Sequence, residues 1–416
     1  MFNFYFFFIL SAFIISSILT LVSSYLNLKH LSPEIPEEFR NDVSPEKYAD
    51  SQKYTRDRTS FGIIALLVNS LLFLGFWFIG GFNYADLIAR KISSHYILHG
   101  LAFFAILGAA QWIISLPFSL YSTFVIENRW GFNRTTVGTF ISDRIKGIIL
   151  STIVGGPLVA FIIWFFSAMG SIAWLVAFAA AAGFSIILQF LAPVVIMPLF
   201  NKFTPLEDGE LKEAITQMCH KAGFPFAGVY IVDGSKRSTK ANAFFTGFGK
   251  TRRIALYDTL VNEHKTEEII AVLAHEIGHW KHGHIRKSMI LGLAEMAFMF
   301  WLMGMFISRE GLFHAFAIEN ISVHAGMLLF ATLFSPLSSL TGIAHLALSR
   351  RNEFEADAFS KEITGNWEAL ASGLQRLSLS SLSNLTPHPL HVFLNYSHPP
   401  VTDRIRKLRT LPETAS

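Results

Sequence analysis

The sequence predicts a polytopic α-helical membrane protein with a smaller polar part that carries a short β-element. Three observations carry this reading. Hydrophobic residues make up 52% of the 416 positions and charged residues only 15%, where a soluble domain carries roughly 25% charge. The mean hydropathy is +0.43. Seven apolar segments, at about 2–26, 61–82, 98–120, 147–168, 171–200, 288–308 and 322–348, are each long enough to cross a bilayer.

The first run, M-F-N-F-Y-F-F-F-I-L onward, has no basic flank and no small-residue cleavage site, so it reads as a retained span and not a cleaved signal. Segment 27–60 mixes acids and bases with Pro33, Pro36 and Pro45 and reads as a polar loop. Segment 121–146 contains E-N-R-W-G-F-N-R-T-T, in which Trp130, Gly131 and Asn133 suggest a turn at the membrane interface. Only Met169 and Gly170 part the fourth and fifth spans, which predicts a tight helical hairpin. Pro157 is placed to kink the fourth, and Pro193 and Pro198 mark the exit of the fifth. Of the 34 lysines and arginines, 31 fall in alternate connecting segments. That bias predicts an odd number of spans, an outside N-terminus, and segments 201–287 and 349–416 on the cytoplasmic side.

Within 201–287, Glu207 to Ala222 is helix-like and stops at Gly223 before Pro225. Val229–Asp233 and Arg253–Tyr257 are short β-like runs, and Ala241–Phe248 alternates loosely enough to be a strand with a Gly-containing turn. A helix then begins near Thr266, where Glu267 and Glu268 complement its dipole. Beyond Arg350 the chain is again helical, with a Ser-rich loop at 378–386 and a short closing helix after His398-Pro399-Pro400. The expected organisation is therefore 1–200 with five spans, 201–287 as a cytoplasmic segment, 288–348 with two more spans, and 349–416 as a second cytoplasmic segment.

The net charge of +4, with no Lys/Arg run of five or more, argues against nucleic-acid binding. Cys219 is the single cysteine, so an internal disulfide is impossible and any metal site must use histidine and carboxylate. The E-T-A-S terminus is not a prenylation box.

The chemistry concentrates at A-V-L-A-H-E-I-G-H-W, Ala271 to Trp280. On a helix, His275 and His279 share a face and their imidazoles can meet one zinc ion, with Glu276 beside them as a candidate general base. Downstream, in R-R-N-E-F-E-A-D-A-F, Glu353 and Asp357 share a helical face while Glu355 points elsewhere. A third ligand from one carboxylate and an orienting partner from the other suits a zinc site, although an acidic helix start beyond a span would look the same. His398 and Arg404 are the candidates for stabilising an oxyanion, against the plainer roles of a turn residue and a surface or lipid-headgroup contact. His282 and His284 lie off the His275–His279 face and read as interface histidines. His324 and His345 read as buried or polar-cavity residues of the last span.

These motifs together resemble the type I CAAX prenyl protease family of multi-span zinc endopeptidases. H-E-I-G-H-W at 275–280, E-F-E-A-D at 353–357 and N-A-F-F-T-G at 242–247 are similar to its signature segments, as are G-F-N-R-T-T at 131–136, P-L-F-N-K-F-T-P-L at 198–206 and S-H-P-P-V-T-D-R at 397–404. The resemblance implies a zincin-like protease domain on seven transmembrane helices around an intramembrane chamber. It implies one zinc per chain on His275, His279 and Glu353, with Glu276 as base and Asp357 as the acid behind a ligand. It further implies Asn242, Ala243 and Phe244 on a substrate-pairing edge strand, His398 at the oxyanion and Arg404 as a brace. The implied activity is removal of the C-terminal tripeptide of prenylated C-a-a-X proteins or trimming of similar membrane-associated peptides. The implied setting is the endoplasmic reticulum of a eukaryote or the inner membrane of a bacterium. Two alternatives stand beside it at this point: a quality-control membrane metalloprotease, and a catalytically silent lipid-binding or transport protein with a structural zinc.

Overall fold

A computed structural model describes residues 1–247 and 252–412; Phe248 and the E-T-A-S terminus lie outside them. Among the described residues, the apolar runs form seven long helices: α1 (Phe4–Lys29), α2 (Pro45–Phe78), α4 (Tyr96–Glu127), α5 (Val137–Ala168), α6 (Gly170–Phe200), α10 (His284–Phe306) and α12 (Val323–Thr364). Leu71, Ile153, Ile187 and Leu340 are among the many large apolar side chains left exposed along them. Apolar exposure on this scale suits contact with lipid.

Three features differ from the sequence expectation. The polar half of segment 27–60 is not a loop throughout. Ser44 accepts a hydrogen bond from the Lys47 amide, and Pro45 sits at the first helical position. This N-terminal signal starts α2 well before its apolar stretch. Second, the link between the second and third spans holds an amphipathic helix, α3 (Gly81–Ile92). Third, α12 runs 42 residues without a break, across the expected boundary at 348/349. No glycine cap interrupts it before Gly365, at φ +66°. The expected turns hold: Gly131 takes φ +75° and Gly170 φ +55° in the α5–α6 hairpin. Short π-helical turns, Ser151–Gly155 and Ala192–Ile196, precede or contain Pro157 and Pro193.

Among the described residues, the polar part contains a four-stranded sheet. Its strands are β1 (Phe203–Pro205), β2 (Gly228–Val232), β3 (Ala243–Thr246) and β4 (Arg253–Tyr257), in the order β1-β2-β4-β3. β2 and β4 are parallel and the outer pairs antiparallel, so β3 is an edge strand. The sheet packs with α7 (Glu210–Ala222), α8 (Asp258–Glu263) and α9 (Thr266–Lys281) around Ile215, Cys219, Ile254, Leu256, Leu273 and Ile277. Glu127 ties this part to the membrane bundle by accepting from Tyr54 Oη (2.7 Å) and Lys240 Nζ (3.0 Å). Helices α13 (Trp367–Ser380), α14 (Pro389–Asn395) and α15 (Val401–Thr410) close the chain against α1, α9 and α12.

The bundle has two poles. At one, α14 meets the C-terminal end of α1, where Asn27 Oδ1 accepts from the His388 amide (3.1 Å). At the other, Asn3 donates to Gly311 O (2.6 Å) and Trp77 Nε1 to Ala315 O (2.9 Å), docking α11 (Glu310–Ala315) beneath α1 and α2.

Candidate metal centre and active site

Helix α9 is amphipathic and buried on the side that meets α12. Gly278 decides how close the two come: a Cβ there would lie 3.0 Å from Ala356 Cα and 3.2 Å from its carbonyl oxygen. Ser360 Oγ locks the crossing by donating to Ala271 O at 2.7 Å. This close approach carries Glu353 to the histidine pair. His275 Nε2 and His279 Nε2 are 3.2 Å apart, and Glu353 oxygens lie 3.4 and 3.2 Å from them. Those separations match the roughly 3.3 Å edge of a tetrahedron with metal–ligand bonds of roughly 2.0 Å. Glu353 Oε2 is also buried and makes no hydrogen bond among the described residues, being held only by charge contacts with Arg404 and His275. A buried carboxylate whose two oxygens each face an imidazole nitrogen is a donor set that a divalent cation satisfies.

Around this triangle the contacts are directional. His275 Nδ1 lies 2.8 Å from Asp357 Oδ1, so its other nitrogen faces the centre. Arg404 is buried and grips Asp357 with Nε (2.9 Å) and Nη2 (2.6 Å), while its Nη1 reaches Glu353 Oε2 at 3.2 Å. Burial and the Arg404 charge act to lower the His275 pKa, but hydrogen bonds to Asp357 and Glu353 outweigh them and lift it to about 9. Burial likewise acts against the Arg404 charge, yet the Asp357 and Glu353 carboxylates hold its pKa above the usual arginine value. Arg404 is thus no surface or headgroup contact. Residue Glu276 is half-buried beside the cluster, and no hydrogen bond occupies its carboxylate among the described residues. His398 reaches Glu353 Oε1 at 3.3 Å with 61% of its side chain exposed, at the rim of a cavity of about 790 Å³. Lys240, Tyr54, Tyr396 and Arg404 share that cavity's wall.

Asn242 and Ala243 open the edge strand, and the Asn242 carbonyl accepts from the Tyr257 amide at 3.0 Å. The Phe244 side chain faces a second cavity of about 650 Å³, lined also by Phe224, Phe245, Trp280, Met197 and Met289. Two residues read as bystanders belong to the surroundings of the centre. His284 Nδ1 is 3.1 Å from His279 Nδ1, and its Nε2 is 3.1 Å from Glu355 Oε2. Glu355 does point away from the Glu353–Asp357 face, and there it meets the histidine behind a candidate ligand. The H-x-x-H-G-H spacing hinted at this, since Gly283, at φ +69°, turns the chain so that α10 begins on His284.

Seven membrane-length helices, joined to a helix-borne histidine pair and a carboxylate from a second helix, define a membrane-embedded metallohydrolase. Comparison with known proteins narrows this class. Residues 24–202 match a family described as CAAX prenyl protease N-terminal, five membrane helices, and residues 205–411 match peptidase family M48. A CAAX prenyl protease 1 homolog of Arabidopsis thaliana is 38% identical over 94% of this chain and 95% of its own length. CAAX prenyl protease 1 of Saccharomyces cerevisiae is 32% identical over 91% and 89%. The crystal structure of S. mikatae Ste24p superposes with a TM-score of 0.93 at 30% identity, covering 98% of this chain and all of that one. The chain belongs to peptidase family M48, in its CAAX prenyl protease branch, and is a multi-span membrane metalloendopeptidase. Membership removes the silent lipid-binder from consideration.

Proposed function

We propose that this enzyme removes the C-terminal tripeptide from prenylated C-a-a-X proteins at the cytoplasmic face, using one zinc ion held by His275, His279 and Glu353. The observation that carries the reading is the buried Glu353 carboxylate, whose two oxygens close a triangle with the His275 and His279 nitrogens. Two nitrogens and one carboxylate suit zinc, which supplies Lewis acidity towards the scissile carbonyl and the attacking water. Glu276 takes the water's proton and returns it to the leaving amine. Asp357 fixes the His275 tautomer, and Arg404 keeps both neighbouring carboxylates ionised and in place. His398, exposed at the rim, donates to the developing oxyanion.

The substrate adds as a strand beside β3, pairing at Asn242, Ala243 and Phe244, with its backbone directed at the metal centre. The aromatic and methionine-lined cavity beyond Phe244 suits an isoprenoid chain. In this division of labour, 1–200 and 288–348 hold the protein and its lipidated substrate in the membrane, while 201–287 and 349–416 perform the hydrolysis. The lysine and arginine bias supports a cytoplasmic site.

The test compares a farnesylated C-a-a-X peptide with its unprenylated twin on the purified full-length protein. Burying only a few isoprenoid carbons at roughly 0.8 kcal/mol each predicts a kcat/KM at least about tenfold higher for the farnesylated peptide. Equal rates would remove prenyl specificity and leave general trimming of membrane-associated peptides.

A further inference from the structure

We propose that Asp86, His99 and His324 form a second metal site, a closed structural one for a zinc-class divalent cation, at the pole opposite the active site. Each comes from a different helix: Asp86 from α3, His99 from α4 and His324 from the start of α12. All three are buried, Asp86 completely. Asp86 Oδ1 receives both imidazoles, His99 Nε2 at 3.0 Å and His324 Nε2 at 2.8 Å. The three ligand atoms lie within 4.8 Å of one another. The two measured edges come within about 0.5 Å of the roughly 3.3 Å a tetrahedral ion with bonds of roughly 2.0 Å requires.

The surroundings are built to hold that convergence. Arg90 Nε binds the other carboxylate oxygen of Asp86 at 2.7 Å, which leaves Oδ1 turned inward as a monodentate ligand. Ser322 Oγ stands 3.0 Å from His324 Nε2, in the half-buried turn before α12, where it offers a fourth ligand and a way in for the ion. The Phe103 ring, fully buried, packs 5.1 Å from that of His324. Two glycines permit the approach. A Cβ on Gly100 would lie 2.6 Å from Ile163 Cδ1 and 3.0 Å from His324 Cβ, and one on Gly326 would run into the Ile307 carbonyl oxygen.

Hydrogen bonding alone serves this geometry poorly. Both imidazoles would need their proton on Nε2 to donate to one oxygen, and His324 would have a single proton for two partners. A cation instead takes lone pairs from both nitrogens and from Oδ1, and frees Ser322 to ligate. Two imidazoles with one carboxylate and a hydroxyl select a borderline cation of the zinc class over calcium or magnesium, which prefer all-oxygen shells. With Asp86, His99 and His324 all buried, the site ties α3, α4 and α12 together.

Metal content of the full-length protein in detergent tests this, after stripping with a chelator, reloading with zinc and gel filtration. About two zinc ions per chain are expected for the unaltered protein, and about one for Asp86→Asn. The decisive form is His279→Ala with Glu353→Gln, which leaves the distal pole untouched and should retain about one. Cobalt loaded into that form should give the absorption of a nitrogen–oxygen tetrahedral site. One ion in the unaltered protein, with none in the His279→Ala, Glu353→Gln form, would overturn the proposal.

Discussion

Two clusters of two histidines and one carboxylate stand at opposite poles, and α12 contributes to both. His324 is on its first turn and Glu353 near its far end, about 43 Å along the axis at a rise of roughly 1.5 Å per residue. Ligand chemistry does not distinguish them, and each has an arginine on its carboxylate. Access does. At the Glu353 pole both histidines come from one helix, His279 keeps 19% of its side chain exposed, and Glu276 stands beside them with its carboxylate unoccupied. At the Asp86 pole three helices close on the cluster, and both histidine side chains are at most 7% exposed. A catalytic centre needs an open position and a free proton acceptor; a structural one needs neither.

The largest contrast comes from removing a ligand at each pole. His279→Ala should abolish cleavage of a C-a-a-X peptide with little change in folding. Asp86→Asn should register instead in thermal unfolding, with Tm falling by roughly 2–4 °C for each kcal/mol lost. Cleavage lost outright in Asp86→Asn at an unchanged Tm would erase the distinction between the poles. Next comes Arg404→Leu, which strips the cation from the buried Asp357 and Glu353; breaking such a pair costs about 3–5 kcal/mol and should appear as a lower Tm and weaker metal retention. A smaller effect of about 1–3 kcal/mol is expected for Gly278→Ala, because the added Cβ pushes α9 off α12. Gly326→Ala should cost more at the other pole, where the added Cβ runs into the Ile307 carbonyl oxygen, but only Gly278→Ala should also slow cleavage. Glu355→Gln should be mildest. It loosens His284 behind His279, and metal affinity measured by competition with a chelator should fall about tenfold.

Much of the active pole could be read from the sequence because its signals are local. The His275–His279 pair is one helical turn, and the Glu353–Asp357 pair is another. The seven spans declared themselves by length and apolarity, and the strand at Arg253–Tyr257 by a compact β-like run. What the sequence did not disclose is what depends on separate elements meeting. Asp86 lies 13 residues from His99 and 238 from His324, so no periodicity links them. Glu355 faces away from its neighbours, and its partner His284 belongs to another helix. The early start of α2 was signalled by Ser44-Pro45, but the polar residues that follow masked it. β1 is three residues long and owes its form to pairing with β2.

Under the proposed function, Glu276 moves the proton at the metal-loaded cluster. The most direct test of that role is the cleavage rate of a farnesylated C-a-a-X peptide by Glu276→Gln, with metal content determined on the same preparation. Loss of positioned acid–base catalysis predicts a fall of about 10²- to 10⁴-fold with the metal content unchanged. A rate equal to that of the unaltered protein, at full metal occupancy, would contradict the account.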